Sequence, residues 1–117
     1  MDRARILIVG QTKENSYEIR NLLDNRRFEL EIALSKDMGK TILSSRLMGL
    51  LVVHTETLGQ EDEELFSFLE DEGIPIPVMI LGEEAERFRE RIPGARKVAC
   101  FDKPYPVDDM MTYISSL

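Results

Sequence analysis

Hydrophobic positions along the chain fall into short blocks separated by amphipathic or charged stretches. The most compact block is Gly49-Leu50-Leu51-Val52-Val53-His54-Thr55. Its branched apolar run has no polar face, as expected for a strand covered on both sides in a parallel sheet flanked by helices. The run stops at His54, and Thr55-Glu56-Thr57 follow. Earlier, Arg3–Val9 gives a first strand broken by Gly10-Gln11-Thr12. Asn15 or Ser16 is placed to cap a helix reaching about Asn25, with Ile19, Leu22 and Leu23 on one face. After the basic turn Arg26-Arg27, the alternation from Phe28 to Leu34 predicts a half-exposed strand near a sheet edge. Ser35 then suits the cap of a helix from Asp37 to about Arg46, with Met38, Ile42 and Leu43 inward.

Beyond the central strand and a loop at Leu58-Gly59-Gln60, Glu61–Glu72 predicts an acidic helix burying Leu65, Phe66, Phe68 and Leu69. Gly73 ends it. Ile74-Pro75-Ile76-Pro77 is an extended lead-in to a fourth strand, Val78–Leu81, which Gly82 ends. Glu83 to about Ile92 predicts a short charged helix with little beyond Ala85 and Phe88 to bury. A turn at Pro93-Gly94 leads to a fifth strand, Lys97–Phe101. The loop Asp102–Pro106 precedes a last helix, Val107–Leu117, with Met110, Met111 and Ile114 inward. This is (βα) five times. Crossovers of this length require parallel strands with helices on both faces, a doubly wound α/β three-layer sandwich. Open sheets of this kind carry their chemistry at the carboxyl ends of the strands, which draws attention to His54.

Composition narrows the function classes. The 117 residues fit one domain, and no linker, repeat or low-complexity segment divides them. A single cysteine excludes an internal disulfide and suits a reducing, cytoplasmic setting. No apolar run approaches the roughly 20 residues of a membrane helix, so no membrane partner is expected. The net charge of −7 without a basic stripe argues against direct nucleic-acid binding. The first βα turn, G-Q-T-K-E-N-S, is not a Gly-rich phosphate cradle. One His and one Cys at unrelated positions supply no nucleophile–base–acid set. No catalytic residue, metal site or cofactor is therefore expected.

Three motifs together carry a resemblance: R-I-L-I-V-G-Q at the first strand, G-L-L-V-V-H at the third, and P-V-M-I-L-G followed by F-D-K-P-Y at the fourth and fifth. Over essentially its whole length the chain resembles the receiver domain of bacterial response regulators, the phosphoacceptor module of two-component signal transduction. The resemblance implies a flavodoxin-like, CheY-like fold with sheet order 2-1-3-4-5. It also implies a metal and phosphoryl site that this chain lacks. The family's acidic pair aligns with Gly10 and Gln11, the acceptor aspartate with His54, and the Thr or Ser that contacts the phosphoryl group with Gly82. The switch aromatic aligns with Cys100, next to Phe101. Lys103 alone matches. Without an acceptor carboxylate no acyl phosphate forms, and without oxygen ligands Mg²⁺ has no cage. The expectation is a degenerate pseudo-receiver, a non-enzymatic interaction module. Its docking face would include Phe101, Tyr105 and Met110, and it would form a homodimer through the last helix and strand. Its other expected partners are a separate protein or a linked output domain. The chain also looks somewhat like degenerate receivers at the N-terminus of σ54-dependent activators. It stops just after its fifth helix, where a linker would begin, so residues 1–117 fit a single receiver-like domain of a larger regulator as well as a free-standing adaptor. The alternatives are phosphorylation at a non-standard residue and small-ligand binding on a flavodoxin-like fold.

His54 reads first as a structural residue filling the vacated pocket, bonded to backbone or to Glu56. Phosphoacceptor, metal-ligand and pH-responsive roles stand behind that reading. Lys103, without its usual partner, is expected to bridge to Glu56, Glu83 or Asp102, and the Lys103-Pro104 bond to be cis. Cys100 is expected to be a buried, inert thiol. The glycines at 10 and 82 leave space beside His54, read either as drift or as room for a small ligand.

Overall fold

A computed structural model of the chain describes residues 4–10, 13–23, 28–56, 63–92 and 96–117. Five strands form one parallel sheet: β1 (Ala4–Val9), β2 (Phe28–Ala33), β3 (Leu50–His54), β4 (Val78–Leu81) and β5 (Val98–Phe101). The order is β2-β1-β3-β4-β5, as the resemblance implied. The helices are α1 (Lys13–Leu23), α2 (Lys36–Ser45), α3 (Glu63–Asp71), a 3-10 helix (Ala85–Arg91) and α4 (Val107–Ser115). No described helix is long and apolar enough to cross a membrane.

The central strand is covered on both faces, and all five residues of β3 are buried. Alternate side chains feed two separate cores. Leu7, Val9, Leu51, Val53, Val78 and Ile80 face one side, packed with Leu43 of α2, Leu65, Phe66 and Leu69 of α3, and Ala85. Ile6, Ile8, Leu50, Val52, Met79 and Leu81 face the other, packed with Ile19 and Leu23 of α1 and Met110 and Ile114 of α4. β2, the alternating strand, is an edge strand and is mostly half-buried. Its outward Glu29 pairs with Arg5 at 3.2 Å, and Glu31 pairs with Arg46. Charged side chains on an edge discourage a further strand from joining it.

The local stop signals work as their chemistry dictates. Ser35 caps α2 by accepting the Met38 N–H at 3.1 Å. Gly73, with φ of 64°, ends α3. Its N–H reaches the Glu70 carbonyl at 3.1 Å, and the Ile74 N–H reaches the Leu69 carbonyl at 2.9 Å. That pair of bonds is a Schellman ending, which needs the left-handed conformation glycine adopts freely. The proline-rich lead-in to β4 is held from across the chain. Arg96 donates to the carbonyls of Ile74 and Ile76, both at 3.0 Å, and pairs with Glu70 at 2.7 Å. Its side chain is only 6% exposed.

Three expectations are corrected. Met38 does not point inward and is 48% exposed. The inward position on that turn belongs to Gly39, where a Cβ would come within 3.1 Å of Val9 Cγ2, so a side chain there would need Val9 to give by a few tenths of an ångström. Ser16 does not cap α1. The helix begins at Lys13, and Ser16 is fully buried within it. The charged segment after β4 is a 3-10 helix, with Glu84 just before it at a positive φ of 54°. Its ion pairs, Glu84–Arg87 at 2.7 Å and Glu86–Arg89 at 2.5 Å, are three residues apart. That spacing eclipses side chains when there are three residues per turn, while Ala85 and Ile92 give it little apolar surface to bury. The expectations for Gln11, Arg26-Arg27, the loop from Leu58, the acidic Glu61 start and Pro93-Gly94 fall outside the described residues.

Because Leu51 is fully buried in a strand with both faces covered, Leu51→Ala should cost about 3 kcal/mol of unfolding free energy. Leu47, 87% exposed just before the same strand, should change stability by less than about 0.5 kcal/mol as Leu47→Ala. Urea denaturation followed by circular dichroism measures both.

Candidate functional site

The carboxyl ends of β1, β3, β4 and β5 converge on one rim. There, parallel pairing sets His54 beside Leu81 and Leu81 beside Phe101. A groove of about 390 Å³ opens at this rim, lined by His54, Thr55, Glu56, Glu83, Glu84, Arg87, Phe88, Arg91 and Lys103. Of the residues expected at the site, His54 and Lys103 meet in this groove. Gly10 and Gly82 end their strands beside it, both buried. Gln11 lies outside the described residues.

His54 is 5% exposed. Its Nδ1 accepts the backbone N–H of Glu56 at 3.2 Å. Thr55 and Glu56 are helical, so the imidazole does what a cap does: it satisfies an amide that the first turn leaves without a partner. An accepting Nδ1 places the neutral ring's hydrogen on Nε2. Burial holds the His54 pKa below the ordinary histidine value. Glu56 pulls upward against this, as do Glu18 and Glu83, and Lys103 adds to the lowering. This fits the reading of His54 as a pocket-filling residue tied to the Glu56 backbone.

The space left by the two glycines is not free. A Cβ on Gly10 would collide with Ser16 Oγ, and one on Gly82 would collide with Thr55 Oγ1 and lie 3.1 Å from Thr55 Cβ. Hydroxyl side chains from α1 and from the end of β3 therefore occupy the volume that larger residues would need. Gly82 has a further constraint, φ of 134°, which side chains rarely tolerate. The space at each glycine is thus taken by a hydroxyl side chain, while the groove lined by His54 stays open. Among the described residues, Ser16 Oγ has no hydrogen-bond partner although the residue is fully buried, and Tyr105 Oη is likewise buried without one. Neither Ser16 nor Thr55 was singled out as a site residue. Their role depends on which glycine they face across the fold, and nothing in a one-dimensional pattern reports that.

Lys103 does not bridge to Glu56, Glu83 or Asp102. Its Nζ pairs with Glu18 of α1 at 3.3 Å, and the ammonium sits 5.8 Å from the centre of the Tyr105 ring. Asp102 is engaged elsewhere, its Oδ1 accepting the Ala85 N–H at 2.8 Å. That bond fixes the start of the 3-10 helix to the loop after β5. The Lys103-Pro104 bond is cis, as expected. Burial pushes the half-buried Cys100 thiol up to about 11, so the unreactive protonated form prevails at neutral pH. Burial, with Glu18 and Asp102 nearby, pushes Tyr105 up to about 12. On the expected docking face, Phe101 and Tyr105 are half-buried against the core. Met110 is fully buried and belongs beneath that face, because its position on α4 points at the sheet. The residues that do reach the surface there are Val107 and, in part, Met111 and Tyr113. No group of three or more His, Cys, Asp or Glu among the described residues is placed to hold a metal ion.

No protein-family model matches the chain, and no curated protein matches it. Solved structures do. The receiver domain of a Francisella response regulator is 13% identical with a TM-score of 0.77, over 97% of this chain and 95% of that one. A sensor protein from Polaromonas sp. JS666 is 15% identical with a TM-score of 0.81, over 98% and 95%. Full-length FixJ from B. japonicum is 18% identical with a TM-score of 0.80. The match covers 99% of this chain but 58% of FixJ, so the chain spans just over half of that protein. The fold is therefore the α/β fold seen in response regulator receiver domains.

Two outcomes follow from the packed rim. Gly10→Ala should cost about 1–3 kcal/mol by overpacking. On a Ser16→Ala background most of that cost should vanish, since the colliding Oγ is gone and Ser16 Cβ would stand 3.6 Å away. A thermal-denaturation double-mutant cycle measures the coupling. The second outcome concerns pH. A histidine whose folded pKa is depressed binds its proton more readily when unfolded, so the stability it permits is complete above the unfolded value. That stability is lost as pH falls below about 6.5 towards the folded value. Urea titrations at stepped pH should show a steeper acid loss in the wild type than in His54→Gln.

Proposed function

We propose that this chain is a phosphorylation-independent receiver-fold module that signals by docking to other proteins and does no chemistry of its own. The observation that carries the reading is what stands at the ends of β3 and β4. Where the resemblance calls for an acceptor carboxylate and a phosphoryl-contacting hydroxyl, the chain has a backbone-bonded imidazole at His54 and a glycine at 82, its space taken by Thr55. A phosphoryl group there would meet no carboxylate nucleophile at position 54, and the lysine suited to neutralise it is already paired with Glu18. The retained sheet order and the likeness to receiver domains support a signalling role.

The docking face on this reading is the β5–α4 edge, and the partner is a second copy of the chain. Val107, Met111 and Tyr113 put apolar surface there. Asp108 and Asp109 of α4 lie on one flank, and the arginine-bearing 3-10 helix packs against the same edge strand. A two-fold axis along that strand would set the acidic flank of one copy against the basic flank of the other, an isologous and self-complementary contact. The likeness to full-length FixJ, which extends beyond the matched part, supports a linked output domain as the further recipient of the signal, as in a regulator of transcription.

Incubation with acetyl phosphate and Mg²⁺ should leave the intact mass unchanged, and a gain of one phosphoryl group would overturn phosphorylation independence. Sedimentation velocity over a concentration series should show reversible dimerisation, weakened at least about tenfold by Met111→Lys. A wild type that stays monomeric throughout would remove the second-copy partner.

A further inference from the structure

We infer that His54 is an acid-operated latch: adding a proton to its ring releases the turn after β3 and, through Thr55, the turn after β4. The inference rests on what Nδ1 does. In the closed form this nitrogen accepts the Glu56 N–H at 3.2 Å. Protonation places a hydrogen on Nδ1, and two donors then face each other. The bond cannot persist, so either the ring turns away or the backbone at Glu56 moves.

The structure offers the charged ring a destination. The groove beside it is lined by Glu56, Glu83 and Glu84 as well as by His54. Among the described residues, the charged groups acting on the ring are Glu56 from its own turn, Glu18 from α1, Glu83 from the turn after β4, and Lys103 from the loop after β5. Three of these four are carboxylates that favour an imidazolium, and Lys103 opposes it while held by Glu18. Arg87 and Arg91 lie further along the same groove, with Arg87 paired to Glu84 and Arg91 over the Phe88 ring. At neutral pH, burial favours the uncharged ring and the latch stays closed.

Release is transmitted because the two turns interlock. Thr55 follows His54 directly, and its side chain fills the space beside Gly82. Displacing the turn after β3 withdraws that side chain. It frees the Gly82–Glu84 segment, which carries two positive φ angles and leads into the 3-10 helix. The proton would then reach the same edge that the 3-10 helix packs against. The latch goes beyond the docking role and stands or falls without it, since its readouts lie in the turns and not at a partner.

His54 is the one histidine in the chain, so its nitrogens can be assigned without ambiguity in a ¹⁵N-labelled sample. A pH series from about 7.5 to 5 should begin with an unprotonated Nδ1 and a protonated Nε2. The ring should titrate below 6.5, with the Thr55, Glu56 and Gly82 amides shifting at the same midpoint. The protection factor of the Glu56 amide, its exchange relative to the intrinsic rate at each pH, should fall at least about tenfold across that midpoint. In His54→Gln, which keeps an acceptor but does not titrate in this range, those amides should stay flat. A neutral ring protonated on Nδ1 would overturn the latch, as would a ring titration with the three amides still. Equal shifts in His54→Gln, or loss of all core amides at one midpoint, would overturn it too. The wild-type tautomer and amide series decide the matter even if the variant fails to fold.

Discussion

The double-sided burial of β3 is the constraint on which the rest of the molecule depends. A strand with no polar face cannot meet water on either side. It therefore demands a helical layer above and another below, and neighbours along both edges for its backbone groups. β1 and β4 supply those neighbours, and the two cores supply the layers. Everything at the rim inherits its position from this. The strand ends where its apolar run ends, and the next side chain, His54, is delivered to the rim with little freedom to be elsewhere.

The rim itself is organised by substitution of small for large. Two strands close with glycine, and hydroxyl side chains from elsewhere move into the vacated volume. The result is a rim whose strand ends are packed with the chain's own side chains, next to the open groove. Close packing of this kind makes each position answer to its neighbour. The backbone frame of the rim is set by the strands, and its side-chain filling is local. The loops are tied to one another by Asp102 on the 3-10 helix and Lys103 on α1. The rim is thus a connected surface drawn from four elements.

Much of this was legible in the residues. Unbroken apolar runs separated by amphipathic stretches are a strong signal, because burial on two faces leaves no other pattern possible. The five strands, their parallel sense and the edge position of β2 followed from it, and the order of the strands followed from the resemblance. So did the placement of His54 and Lys103 on a common rim. What stayed hidden depended on proximity across the fold. Met38 reads as apolar and therefore inward, yet the inward place on that turn, close to β1, is taken by Gly39. Ser16 has the chemistry of a cap and serves as filler. Lys103 had three plausible acidic neighbours in sequence terms, and the fold gave it a fourth, Glu18, 85 residues away. The 3-10 geometry after β4 was equally invisible, because its arginine–glutamate spacing suits an ordinary helix nearly as well.

Arg96 carries a consequence for how the edge of the sheet is held. β5 is a short outermost strand, and such strands tend to fray from their ends. The guanidinium just ahead of β5 grips the carbonyls of Ile74 and Ile76 and the carboxylate of Glu70, so the start of the strand is fastened to the end of α3 by a buried fork. A lysine could offer one point of attachment but not this planar set of donors. The fork therefore acts as a hem: it keeps the outermost strand from peeling at its start, while Asp102 and Lys103 fasten the loop at its other end.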